Sequence, residues 1–528
     1  MTDNDANEKL RQLLAEGAKA TSDAMQAFVR LATQAAQGAA DGAAGSAAGG
    51  DPAELTRAWL TSWQAAVSEL SALQTQLLKG LLTELPETAR ERLNAQTFSQ
   101  LERMAAANWE EELRRFSEVP ATLSERASQA DPERLGGLLK SMTAEYLADL
   151  EGLKGSAFQL DTEALADAWA KVAAGAEDAD AKRLVERFLE AVSVKARYGS
   201  EYYADPERTP VGQTPRRCVH RYGKIELYHY ERAADAPQPR GEPVLLVYSV
   251  INKPYILDLL PGFSFVEHLI AEGLDVYLVE WGETEPGDRD TTLDSYIDPG
   301  LSGCVAAIRE RTGAEKVSLF GHCIGGNLAL MYAALRPAEV GRVVTLTTPI
   351  TAADGGVVAV WTDRDLFPID AILDATGHMP AKLIRYTFMV LKPYYEVMKW
   401  KLFLEKLGDD EVMKLFYPVD RWANENVDIP GAVFKKFVEE VFHGDRFRNS
   451  ETLINGAPVK LKNVTCPVMN LTATRDWIVP PASAEILGTL VGSQDYRHVS
   501  IEGAHVTIMI DPRTRPLWTE MSDFLAGP

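Results

Sequence analysis

The sequence predicts an α/β fold, a mostly parallel sheet with helices on both faces, preceded by a region made of helices alone. Three observations carry that reading. Beyond about Tyr203, short runs rich in β-branched and aromatic residues alternate with amphipathic helical segments. Within that alternation, residues 316–335 join a strand to a helix through Gly-His-Cys-Ile-Gly. Residues 1 to about 200, by contrast, are rich in Ala, Leu, Glu and Arg, contain no cysteine, and keep helical periodicity.

The whole chain has 528 residues, more than one ordinary domain needs, and its 46% hydrophobic content suffices for a sizeable core. The net charge of -22 is spread over both halves and argues against nucleic acid or an anionic membrane as main partner. The four cysteines are scattered without a CxxC pair, so no zinc ribbon or disulfide framework is expected, and a reducing compartment fits. The opening MTDNDANEKLRQ has no basic segment leading into an apolar one, and no run on the order of 18 apolar residues occurs. A soluble cytoplasmic protein, with no secretory signal and no transmembrane segment, is the expectation.

In chain order, a first helix runs to about Gln37, followed by a Gly/Ala linker at 38–52 too small-sided to pack. Asp51 is placed to cap the next helix, with Pro52 at its first position and Glu54 in its first turn. That helix carries Trp59, Trp63, Ala66, Leu70, Leu73, Leu77 and Leu81, the a/d seam of a short coiled coil. Asp131-Pro132 and Asp161 open further helices. The region packs on itself as a bundle, or docks on a partner protein or an apolar particle surface.

A catalytic domain is expected over 201–528, with strands at 224–230, 244–249, 275–281, 316–320, 342–347, 468–473 and 497–501. Helices are expected at 263–272, 304–311 and 327–335. Residues 351–462 break the rhythm with helical pattern dense in aromatics and Met, a cap inserted before the last two strands.

Gly321-His322-Cys323-Ile324-Gly325 is a nucleophile elbow with cysteine in the serine position, the signature of an α/β-hydrolase fold. The nucleophile must sit on a sharp, strained turn, so Gly321 and Gly325 lack side chains where backbones crowd, and Gly326 extends that allowance. Cys323 then stands at a helix N-terminus, which favours its thiolate, while the Ile324 N–H points to where an oxyanion would form. The inert alternative is a buried cysteine in an ordinary strand-to-helix turn.

An elbow needs an acid and then a histidine further along the chain. Asp476 follows the strand PVMNLTA and His505 follows RHVSI, both at strand C-terminal ends, where open α/β sheets build their sites. Asp363, Asp365, Asp420 and Asp445 read as surface charges of the cap. His322 is turned away from Cys323 and packs or hydrogen-bonds beneath the turn; His378 and His443 belong to the cap, and His498 enters a strand. A second oxyanion donor is expected from the loop in YSVINKPYILDLL, through the N–H of Val250 or Ile251, with Val250 paired to Ile324. Cysteine also narrows the reaction: a thiolate both attacks thioesters and leaves readily, so acyl groups pass between thiols.

From about Val211 to the C-terminus, the stretches VGQTPRR, GKIELYHY, INKPYILDLLPGFSFVEHLIAEGLDVYLVEWG, GHCIGG, RWANENVDIPG, DWIVPPASAEILGTLVG and GAHVTIMI resemble the polyhydroxyalkanoate synthases. Those enzymes polymerise (R)-3-hydroxyacyl-CoA into storage polyester. The core is most similar to the short-chain-length synthases whose catalytic subunit works with a separate helical subunit, so 3-hydroxybutyryl-CoA is the monomer the resemblance implies. It implies Cys323 as acyl acceptor, His505 as base and Asp476 as third member, the aspartate also helping to activate the 3-hydroxyl. It implies coenzyme A as leaving group, no cofactor, no metal, and a homodimer at the storage-granule surface. Two departures stand out. Gly503-Ala504-His505 occupies the place of the family's Gly-Gly-His. Residues 1–200 match neither the usual N-terminal domain nor the separate subunit, of which they would be a fused analogue. Rival readings are a polyester depolymerase or thioesterase of the same fold, told apart by soluble product, and a non-catalytic granule-coating protein, indifferent to loss of Cys323.

Overall fold

A computed structural model describes residues 161–174, 176–192, 210–232, 239–352, 369–381, 408–527 and isolated positions between 383 and 406. The expected linker at 38–52, the seam from Trp59 to Leu81 and the caps at Asp51 and Asp131 lie outside the described residues. The chain divides into two compact units, one of Met1–Ala204 with Met389–Tyr417, the other of Asp205–Phe388 with Pro418–Pro528.

In the first unit, α1 (Thr162–Ala174) and α2 (Ala179–Val192) form a pair. Asp161 opens α1 as its sequence position suggests, its carboxylate accepting the Ala164 N–H at 2.9 Å. Asp178 does the same for α2 through the Ala181 N–H at 3.0 Å. Leu165, Ala168, Val172, Ala181 and Val185 are buried, the apolar stripe that the helical spacing calls for.

The second unit is built on an eight-stranded sheet: β1 (Arg216–Tyr222), β2 (Ile225–Tyr230), β3 (Val244–Val247), β4 (Val276–Glu280), β5 (Val317–His322), β6 (Val340–Leu346), β7 (Val468–Ala473) and β8 (Tyr496–Ile501). Their spatial order is β1-β2-β4-β3-β5-β6-β7-β8, and every pairing from β4 to β8 is parallel. Only β2 runs against its neighbours. This is the α/β-hydrolase fold.

Central strands covered on both faces must be apolar throughout, and VLLV in β3 and VSLFGH in β5 are buried at every position. Helix α5 (Ile324–Leu335) lies against β5 and β6 and is buried on all sides but its last residue, which explains its lack of a polar face. The edges differ. β1 reads RRCVHRY and β8 reads YRHVSI, and their exposed arginines and histidine blunt open strand edges. β1 is absent from the predicted strands because that charge masks its alternation. Gly223, with φ of 56°, turns the two-residue hairpin that pairs it to β2.

Three further helices follow predicted ones or fall where expected. α3 (Phe265–Ala271) is capped by Ser264, whose hydroxyl accepts the Glu267 N–H at 2.9 Å. α4 (Ser302–Thr312) ends at Gly313, which takes a left-handed φ of 73°. The closing helix, α9 (Arg515–Ala526), buries Trp518, Met521, Phe524 and Leu525. Between β6 and β7 lie α6 (Ile369–Thr376), α7 (Asp410–Asn424) and α8 (Gly431–Val441), in the stretch expected to be an insertion. Asp363 and Asp365 lie outside the described residues, and the other two aspartates expected there are not surface charges. Asp420 is only 4% exposed. Asp445 accepts hydrogen bonds from the Thr351 hydroxyl at 2.8 Å and the Ala352 N–H at 3.1 Å, anchoring the start of the insertion.

Candidate active site

One residue, Cys323, reverses the chain between β5 and α5. Its φ of 54° and ψ of -126° lie where side-chain-bearing residues are strained, and the neighbours show what holds it there. A Cβ on Gly321 would strike the backbone of Gly326 and Gly325, one on Gly325 the Val247 carbonyl oxygen, and one on Gly326 the Thr348 hydroxyl. All three glycines are therefore steric requirements of the turn. The Cys323 N–H donates to the Leu346 carbonyl at 2.9 Å, and its own carbonyl accepts the Gly326 N–H at 2.9 Å. The sulfur sits at the N-cap of α5, where the helix dipole favours negative charge. Elsewhere in the sheet-bearing unit, burial pushes the Cys304 thiol up to about 12 and the Cys466 thiol up to about 11.

Asp476 and His505 arrive from the two neighbouring strand ends. The loops after β7 and β8 are stitched together by Thr474 N–H to Ile501 carbonyl and Arg475 N–H to Gly503 carbonyl, both 2.8 Å. His505 Nδ1 then lies 2.7 Å from Asp476 Oδ2. The second carboxylate oxygen, Oδ1, accepts the N–H groups of Ile478 and Val479, each at 2.9 Å, so the carboxylate is locked in orientation. Both residues are buried, and the Cys323 sulfur is near enough to the His505 ring to act on its charge. Burial opposes charge on the His505 ring, but the Asp476 carboxylate and the Cys323 sulfur outweigh it, so its pKa stands above the usual imidazole value. Ala504 fits its place: its N–H donates to the Thr507 hydroxyl at 2.8 Å.

Of the two candidate donors after β3, Ile251 spends its N–H on the Ser249 hydroxyl at 3.2 Å. The Val250 and Ile324 N–H groups make no hydrogen bond among the described residues. The loop therefore leaves Val250 as the available donor that the sequence could not choose.

Sequence reasoning missed an aromatic layer behind the histidine. His322 stacks flat on Tyr248, with ring centroids 5.2 Å apart and planes at 2°, and its ring centroid also lies 5.2 Å from that of His505. Burial, aided by the neighbouring His505, pulls the His322 pKa down to about 3, so this imidazole stays neutral. It lies buried beside the turn and packs against the His505 ring. Burial, then the Cys323 sulfur, hold the Tyr248 phenol well above its usual value. No periodicity in the sequence marks these contacts, because they join three separate strand ends.

The chain matches the family model described as alpha/beta hydrolase fold over residues 257–512. A protein of Allochromatium vinosum named "Poly(3-hydroxyalkanoate) polymerase subunit PhaC" is 33% identical over 335 residues, 63% of this chain and 94% of that protein. The chain belongs to the poly(3-hydroxyalkanoate) polymerase family. Proteins of the same name from Thiocystis violacea and a Synechocystis species are 30% and 31% identical, over 63% and 58% of this chain and 93% and 82% of their own lengths. As a member of that family the chain is an enzyme of the acyltransferase type. Among its described residues no helix is long and apolar enough to cross a membrane.

Proposed function

We propose that this chain polymerises (R)-3-hydroxyacyl units, 3-hydroxybutyryl-CoA foremost, with the growing ester carried on Cys323. The observation that carries the reading is the His505–Asp476 pair at 2.7 Å, beside a cysteine on a strained elbow, in a chain whose relatives are named polymerase subunits.

His505 takes the proton of Cys323, and the thiolate attacks the thioester carbonyl. The carbonyl oxygen becomes an oxyanion held by the Ile324 and Val250 N–H groups. The bond to the coenzyme A sulfur breaks, and that sulfur leaves with the proton from His505. A 3-hydroxyl then gives its proton to His505 and attacks the Cys323 thioester; an ester C–O bond forms, the C–S bond breaks, and the sulfur is regenerated. Asp476 orients His505 and stabilises its charged form in both halves, and it assists activation of the hydroxyl. The insertion at 351–462 keeps out water, which would otherwise hydrolyse the acyl-enzyme.

The same reading makes 201–528 the catalytic domain and 1–200 a fused analogue of the helical partner subunit. That region binds the granule surface, and the enzyme works as a cytoplasmic homodimer there. Purified chain mixed with 3-hydroxybutyryl-CoA should release thiol and deposit insoluble polymer. Soluble hydroxy acid in its place would make the enzyme a hydrolase. Deletion of residues 1–200 with full activity and unchanged granule association would refute the role given to that region.

A further inference from the structure

The loop that carries the Val250 donor is tied down from the insertion, about 170 residues away in sequence. The indole N–H of Trp422 donates to the Lys253 carbonyl at 2.9 Å, and the Val427 N–H donates to the Ile251 carbonyl at 2.8 Å. An isolated antiparallel bridge pairs Asn252 with Asn426. The Tyr255 hydroxyl donates to Glu425 Oε2 at 2.7 Å, while Glu425 Oε1 accepts Arg421 Nε at 2.9 Å, so the carboxylate is held from both sides. Trp422 is only 8% exposed, and the buried Tyr248, just before the loop, stacks its ring on His322.

A strand-end loop with one internal hydrogen bond, Ile251 N–H to Ser249, has little in itself to fix where Val250 points. A donor must lie about 2.7–3.1 Å from the developing oxyanion to be effective, so the loop needs outside support. We propose that Trp422 and Glu425 are positioning residues for acyl transfer, holding the loop 249–255 so that the Val250 N–H faces the oxyanion formed at Cys323. The proposal rests on the reading of Cys323 as nucleophile. It makes the insertion part of the catalytic apparatus: a change in the insertion is transmitted to the oxyanion donor without touching the Cys323–His505–Asp476 pairing.

The test uses two reactions of one sulfur. Acylation by 3-hydroxybutyryl-CoA passes through an oxyanion, whereas alkylation by iodoacetamide displaces iodide and forms none. Trp422→Phe removes the indole N–H while keeping an aromatic ring; Tyr255→Phe removes the hydroxyl. In the full chain each should slow thiol release about tenfold, with alkylation of Cys323 unchanged. Equal loss of both reactions would mean general damage to the site and would overturn the proposal, as would an unchanged rate of thiol release in both variants. Full activity in Cys323→Ala would instead defeat the underlying reading, and so the two failures are distinguishable.

Discussion

In the proposed reaction the elbow at Cys323 and the loop 249–255 serve the same reacting atom, yet they are built by opposite means. The elbow is fixed by backbone crowding within a few residues: three glycines, a left-handed cysteine and two short main-chain hydrogen bonds. The loop is fixed by side chains and main chain from the insertion, through Trp422, Glu425, Asn426 and Val427. A nucleophile that must be strained is best held by local sterics that cannot relax. A donor that must be aimed can be held from a distance, and that opens it to adjustment.

The comparison can be broken first at the sulfur. Cys323→Ala should lower thiol release from acyl-CoA by on the order of 10⁵, since no other nucleophile sits at the elbow. Next is the orienting acid: Asp476→Asn should cost about 10⁴ in rate, as when the acid behind a catalytic histidine is neutralised. That variant also carries a pH signature. The folded-state pKa of His505 is raised, so its protonated form adds stability that is fully present below about pH 6.5 and is lost as pH rises through the raised value. The gap in melting temperature between wild type and Asp476→Asn should thus be widest near pH 6 and shrink towards alkaline pH. A gap that grows with pH would contradict the assignment.

Gly325→Ala sharpens the comparison from the elbow's side. Its methyl would meet the Val247 carbonyl oxygen, main chain that cannot swing away. A loss of about 10² in rate, with about 2 kcal/mol of stability lost in chemical denaturation, is expected. The smallest effect belongs to the loop: the roughly tenfold loss in Trp422→Phe, selective for acyl transfer, is what separates aiming from strain.

The same contrast governs what the sequence discloses. The placement of Cys323, Asp476 and His505 was legible because each follows a recognisable strand and the elbow glycines are local in sequence. Strands β3 to β8 were legible from apolar runs, while β1 was hidden by its arginines. Which of Val250 and Ile251 keeps its N–H free could not be read from the sequence, because it turns on a single side-chain contact from Ser249. Tyr248 and His322 meet only once strands adjacent in space are brought together. RWANENVDIPG was conspicuous as a stretch, but nothing in its residues says that it grips a loop in the sheet-bearing unit. Asp420 and Asp445 looked like surface charge for the same reason: acidic side chains in an insertion carry no sign of what packs over them.

The most direct test of the account is to mix the purified chain with 3-hydroxybutyryl-CoA, quench within the first turnover and map the acylated peptide by mass spectrometry. The account predicts a hydroxybutyryl thioester on Cys323, absent from Cys323→Ala together with thiol release. Polymer formation by Cys323→Ala, or an acyl group carried on another residue, would contradict it.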